Sequence, residues 1–158
     1  MTKNATLPYR LGALAFILDE QDSLLLVQPN DYTENAWNVP GGGREANETA
    51  LENVMREVRE ELNIDPEELT LLGLAPAPLQ HDFPQEMIDA GHHMTKVFRG
   101  QSKQPFVFRC TEETKAKIVI DPGELRRSRW CTVEHLSKYL IFPNQHASYL
   151  AVIQDHIK

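Results

Sequence analysis

A chain of 158 residues with 41% apolar and 25% charged residues can bury a core and stay dissolved, which excludes disordered and fibrous classes. Its net charge of −7 argues against DNA as a partner and against bulk binding of nucleic acid, which needs many phosphate-neutralising cations. The longest apolar run, Leu11 to Leu18, is too short to cross a membrane and lacks the flanks of a signal peptide. The two cysteines make no disulfide framework, so the expectation is one cytoplasmic domain over residues 1–158, with no membrane partner and nothing that bears on oligomeric state.

Leu11 to Leu18 and Ser23 to Gln28 flank Asp19-Glu20-Gln21-Asp22, which predicts a hairpin. A polar loop runs from Asn30 to Asn35, then a short strand at Trp37-Asn38-Val39 leads into Pro40-Gly41-Gly42-Gly43. Thr49 with Glu52 three residues later is a capping box. Ala50 to Leu62 follows without Pro or Gly and predicts a helix. Asp65-Pro66 closes it, and Thr70 to Leu74 is another strand. Ala75 to His93 is proline-rich and reads as a long irregular loop, of the kind that is functional or mobile. Val97-Phe98 and Phe106 to Cys110 predict paired strands. Lys117 to Ile120 and Arg129 to Thr132 predict short ones around Asp121-Pro122-Gly123-Glu124. Val133 to Leu140 and Gln145 to Ile157 predict two C-terminal helices. Helices interleaved with short strands imply a layered α/β sandwich.

The chemistry concentrates on the helix Ala50 to Leu62. Ala50, Leu51, Val54, Met55, Val58 and Leu62 form one apolar arc at helical spacing. Glu57, Glu60 and Glu61 form a neighbouring arc, with Glu61 at the apolar edge and therefore half exposed. Like charges at such spacing destabilise a helix by roughly 0.2–0.5 kcal/mol per pair, and burying a carboxylate is worse unless it is paired or metal-bound. One resolution is a solvated acidic helix with Arg56 and Arg59 as ion-pair partners. The other is a divalent oxygen-seeking cation, such as Mg²⁺ held by carboxylates, water and phosphate oxygens. The glycines just upstream would let backbone approach that site closely.

The stretch Gly42 to Ile64 resembles the Nudix box, G-x5-E-x7-R-E-U-x-E-E-x-G-U, where U is bulky and aliphatic. Gly42, Glu48, Arg56, Glu57, Val58, Glu60, Glu61 and Ile64 match. The family glycine is Asn63 here, at a position just past the helix end that needs a left-handed backbone, for which Asn is the usual second choice. The resemblance covers nearly the whole chain. Trp37 to Pro40 is similar to the Trp-x-x-Pro of many members. Phe98-Arg99-Gly100-Gln101, Gln104 and Phe106-Val107-Phe108-Arg109 resemble a Tyr-Arg-Gly-Gln…Trp-Phe-Leu-x-Arg stretch. That stretch belongs to the bacterial branch containing RNA 5′-pyrophosphohydrolases and dinucleoside tetraphosphate hydrolases. His81-Asp82-Phe83-Pro84 resembles its Tyr-Asp-Phe-Pro. Two departures, Gly41 where the branch has Gln and Pro105 where it has Trp, bear on substrate rather than on chemistry.

The resemblance implies a mixed sheet between helices and hydrolysis of a pyrophosphate bond in a nucleoside diphosphate linked to another group. Mg²⁺, or Mn²⁺ in its place, would be held by Glu57, Glu60, Glu61, a backbone carbonyl at Gly41 or Gly42, and Glu124. Glu124 stands where the branch has a late carboxylate. Glu57, Glu60 or a loop carboxylate would take the proton of the attacking water, a choice left open. Arg56 would orient the cluster through Glu48 or a box glutamate. Arg44, Lys96, Arg99, Gln101 and Lys103 are candidate phosphate contacts, and Trp37 and Phe142 candidate base contacts. Plain alternatives stand beside these: an exposed loop face for Lys96, Arg99 and Lys103, a turn residue for Glu124, core packing for Trp37 and Phe142. Arg126, Arg127 and Arg129 read as solvated, and the histidines as non-ligands, since no His-Glu-x-x-His occurs. The expected substrate is a dinucleoside polyphosphate. An RNA 5′ end or a broad range of small nucleotides comes second, and an idle nucleotide-binding sensor, which the intact box glutamates oppose, comes third.

Overall fold

The computed structural model describes residues 3–33 and 35–157. Its centre is β1 (Tyr9–Leu18), buried on both faces from Ala13 onward. Ala13, Ala15 and Ile17 point into one core, while Leu14, Phe16 and Leu18 point into the other. A strand covered on both sides must be apolar throughout, and so the run from Leu11 shows no alternation. β1 turns back into β2 (Leu24–Pro29). The turn is held by Asp19 Oδ1, which accepts from the N–H groups of Gln21 and Ser23 at 2.9 and 2.8 Å.

The other side of β1 pairs in parallel with β6 (Gly100–Arg109), from Tyr9 opposite Gly100 to Leu18 opposite Arg109. β3 (Gly41–Gly43), β4 (Thr70–Leu74), β5 (Leu79–Asp82) and β7 (Leu125–Cys131) complete a mixed sheet of seven strands. The path runs β4-β6-β1-β2-β7, with β3 antiparallel to β1 and β5 antiparallel to β6. α1 (Ala50–Leu62) packs Val54, Val58 and Leu62 on one face of the sheet. The 3₁₀ turn Val133–Lys138 and a terminal helix cover the other face with Leu136, Tyr149 and Ile153. This is an α/β sandwich with a mixed sheet between helices.

Several segments differ from expectation. Ala75 to His93 contains β5 and a short helix, α2 (Gln85–Asp89). Val97-Phe98 is not a strand, and β6 runs unbroken through Pro105. The proline sits where the outer neighbour of β6 changes from β5, which ends its pairing at Lys103, to β4, which begins at Phe106. The missing N–H therefore leaves no ladder bond unmade. Lys117 to Ile120 is not a strand: α3 (Glu112–Lys115) precedes it, and the segment is held by the end of α1 instead. Trp37 to Val39 contributes one isolated bridge, Asn38 to Val27. The terminal helix, α4 (Gln145–Ile153), stops short of Ile157.

Candidate active site

The acidic site forms where α1 crosses β3. α1 starts with the capping box expected from sequence: Thr49 Oγ1 accepts from Glu52 N at 3.1 Å, and Glu52 Oε1 from Thr49 N at 3.0 Å. It stops at Asn63, in the left-handed region at φ 54°. Helical spacing turns Glu57 and Glu61 toward the glycine strand. Glu61 is 4% exposed, not half exposed as the wheel suggested, because β3 closes over it. Its Oε1 accepts from Gly41 N at 2.8 Å.

The glycines are small for a reason. A Cβ on Gly41, which has φ +156°, would run into the carbonyl of Ala13, and one on Gly42 would lie 2.5 Å from Glu57 Oε1. The Gly42 and Gly43 carbonyls are met by Asn53 Nδ2 at 3.4 and 3.3 Å.

Glu57, Glu61 and Glu124 each place a carboxylate oxygen within 4.8 Å of the others. Two of the three are buried, so the cluster is strained without a partner. Burial first, and then the charges of Glu57 and Glu124, push the Glu61 carboxyl up to about 8. Burial raises Glu57 as well, against the neighbouring Arg56. An all-oxygen, multiply negative set suits a hard divalent cation such as Mg²⁺ or Mn²⁺. Glu60 stands apart from the three. Its side chain is 49% exposed and takes Arg56 Nη1 at 3.2 Å.

Arg56 is the hub. Nε and Nη2 donate to the two oxygens of Glu48 at 2.7 and 3.0 Å, Nη1 to Glu57 at 3.0 Å, and Nη2 also to the Gly43 carbonyl at 2.9 Å. The fork holds Glu48 below the usual carboxylate range.

The candidate substrate contacts divide. Lys103, on β6 opposite Gly12, is half buried and electrostatically coupled to Glu61 and Glu57; burial pulls its ammonium down. Gln101 lies two residues along the same strand, opposite Arg10. Arg10 carries no sequence signal and was missed. Its guanidinium lies against Gly43, and its charge acts on Lys103. Arg99 is engaged elsewhere: it donates to the Ala5 carbonyl at 3.0 Å and to Asp82 at 3.1 Å, and stacks on Tyr9 at 4.8 Å. Lys96 is exposed on the 3₁₀ turn His93–Lys96. Arg44 is half buried, with Nε unpartnered among the described residues. Trp37 is 4% exposed and belongs to the core under the guanidinium groups of Arg127 and Arg129. That cover gives these arginines a packing role beyond solvation. Phe142 is 43% exposed and meets Tyr32 edge to face.

Glu61 gives the metal-free protein a pH signature. Burial pushes its carboxyl up to about 8 in the fold, from an ordinary 4.5. Between those values the folded chain holds a proton that the unfolded chain has lost, so stability must fall as pH rises through the window, by up to about 1.4 kcal/mol per pH unit. Melting curves without metal are expected to drop from pH 5 to pH 8. The Glu61→Gln variant should flatten that drop, and an equal slope in both proteins would remove Glu61 as its source.

The family model of the NUDIX domain matches residues 8–152. The RNA pyrophosphohydrolase of Zymomonas mobilis is 30% identical over 136 residues, 85% of this chain and 86% of that protein. The RNA pyrophosphohydrolase of Gluconacetobacter diazotrophicus is 32% identical over 145 residues, 86% and 84% of the two chains. Among solved structures, the E. coli dihydroneopterin triphosphate pyrophosphohydrolase superposes with a TM-score of 0.70 at 20% identity, covering 93% of this chain and 99% of that one. A C. elegans Ap4A hydrolase superposes with a TM-score of 0.69 at 18% identity, covering 89% and 92%.

Proposed function

The chain belongs to the Nudix family and is a hydrolase of pyrophosphate bonds, and from that premise we propose that it cleaves a 5′-polyphosphate end with Mg²⁺ or Mn²⁺, its first substrate being the 5′ end of RNA. The observation that carries the metal reading is the convergence of Glu57, Glu61 and Glu124. These three, with a carbonyl at Gly41, would hold the cation. When bound, it would polarise the phosphoryl oxygens and acidify a water. Glu57 or Glu60 takes the proton of the attacking water, and Glu60 is the more open to solvent. Arg56 fixes Glu57 and Glu60 relative to each other. Lys103 and Arg10, beside the acidic cluster, face the negative charge of the phosphates.

RNA is placed first because the curated relatives are RNA pyrophosphohydrolases. The second reading, a dinucleoside polyphosphate, is favoured by the net charge of −7, which gives a long RNA little to hold. A hydrolysis panel with and without EDTA separates them: 5′-triphosphorylated RNA, dinucleoside tetraphosphate, nucleoside triphosphate and nucleotide sugar. RNA turnover no faster than that of the dinucleotide would hand the assignment to the second reading. A preference for the nucleotide sugar would defeat both.

The same panel tests the cations. Lys103→Ala is expected to lower kcat/KM on tri- and tetraphosphate substrates by about 10- to 100-fold, the worth of one charge-assisted contact. Arg99→Ala should instead lower the melting temperature, since its partners are Asp82, Ala5 and Tyr9. If Arg99→Ala erased the preference for longer phosphate chains at unchanged stability, the gripping residue would be Arg99 after all.

A further inference from the structure

Helix geometry leaves the last carbonyls of α1 without intrahelical partners. Here residues 119–121 satisfy two of them: Asp121 N donates to Glu61 O at 2.9 Å and Val119 N to Leu62 O at 3.1 Å. A third bond comes from a side chain. Asn63, left-handed just past the helix, sends Nδ2 to the Val119 carbonyl at 2.6 Å. Val119 is thus gripped at both of its backbone groups by the last residue of α1 and its cap.

From there a tight turn carries the chain to Glu124. Asp121 O accepts from Glu124 N at 3.1 Å and from Leu125 N at 2.8 Å, and Asp121 Oδ1 from Gly123 N at 3.1 Å. On the far side Asn30 ties the turn to the end of β2, donating N to Glu124 O at 2.9 Å and Nδ2 to Pro122 O at 3.0 Å. The carboxylate so delivered completes the cluster with Glu57 and Glu61, which sit on α1 itself.

We infer that Asn63 is a positioning residue: its side-chain bond to Val119 fixes the segment that brings Glu124 to the two helix glutamates. The family glycine at this position could adopt the left-handed backbone at least as well, but it could not make this bond. The departure therefore adds a tether to the helix stop. The inference rests on the reading of Glu124 as part of the metal-holding set.

The test is Mn²⁺ titration of the metal-free full chain by calorimetry, with kcat measured at limiting and saturating metal. Glu124→Gln is expected to weaken Mn²⁺ binding about tenfold or more, and Asn63→Gly about 3- to 10-fold, less than the roughly 10- to 100-fold of groups that bond a ligand directly, because Asn63 holds the backbone at Val119 rather than the carboxylate. Asn63→Asp keeps the shape, loses the donor and should behave like Asn63→Gly. Because Asn63 acts through Glu124, adding Asn63→Gly to Glu124→Gln should cause no further loss. Metal-free melting of Asn63→Gly should fall by no more than about 2–4 °C, the worth of one lost hydrogen bond with the left-handed stop kept, which separates the tether from a failed helix stop. Unchanged Mn²⁺ affinity in Asn63→Gly, or an equal loss with and without the Glu124 carboxylate, overturns the tether while leaving the site intact. Wild-type affinity in Glu124→Gln overturns the site reading itself, and the tether with it.

Discussion

Glu61→Gln and Glu57→Gln are each expected to lower kcat by about a hundredfold or more, roughly 2.7 kcal/mol of barrier. Both carboxylates are buried, and with Glu124 they hold three oxygens within 4.8 Å. An amide keeps the size and one acceptor but removes the charge that would hold a divalent cation. The two variants should part company in stability. Glu61 receives only the Gly41 amide among the hydrogen bonds described and is pushed up to about 8, so Glu61→Gln imitates a protonated carboxyl and should raise the metal-free melting temperature near pH 8. Glu57 is paired with Arg56 at 3.0 Å, so Glu57→Gln loses an ion pair and should gain nothing. Saturating Mg²⁺ should stabilise wild type and barely move either variant. Retention of more than about a tenth of wild-type activity, a loss under roughly 1.4 kcal/mol, would show that the metal is held elsewhere.

What was legible in the sequence is what local spacing encodes. The capping box at Thr49 and Glu52, the buried stripe Val54, Val58 and Leu62, and the left-handed stop at Asn63 are decided within one or two helical turns. The hairpin was legible for the same reason. Glu124 was not: only family resemblance pointed to it, because three separate backbone and side-chain bonds from the end of α1 bring its segment in. The burial of Glu61 was misjudged because a helical wheel cannot see that β3 closes over it. Arg10 was invisible because a lone arginine at the start of a strand resembles any other until β3 is laid beside it. Pro76 and Pro78 disguised the approach to β5, and the strand expected from Phe106 begins at Gly100 and runs through Pro105. In each case tertiary pairing overrode a local propensity.

Arg56→Ala is the second large effect expected. The side chain is 18% exposed and donates five hydrogen bonds, three of them beyond Glu48: to Glu57, to Glu60 and to the Gly43 carbonyl. Truncation leaves Glu48 and Glu57, both mostly buried, without the cation that they share. Removing one partner of a buried pair destabilises by about 3 kcal/mol or somewhat more. For a chain of this size that is a fall of about 6–12 °C in melting temperature. Loss of activity could then be blamed on unfolding, so Arg56→Lys is the sharper variant. It restores the charge but not the planar fork, and an ammonium cannot take both oxygens of Glu48 while reaching Glu57 and Glu60. Arg56→Lys should recover a good part of the stability, yet remain at least about tenfold below wild type in kcat at saturating metal. The reason is that Glu57 and Glu60 would no longer be held in fixed relation across the site. Full activity in Arg56→Lys would show that only a positive charge is needed there, and the orienting role of the fork would have to be given up.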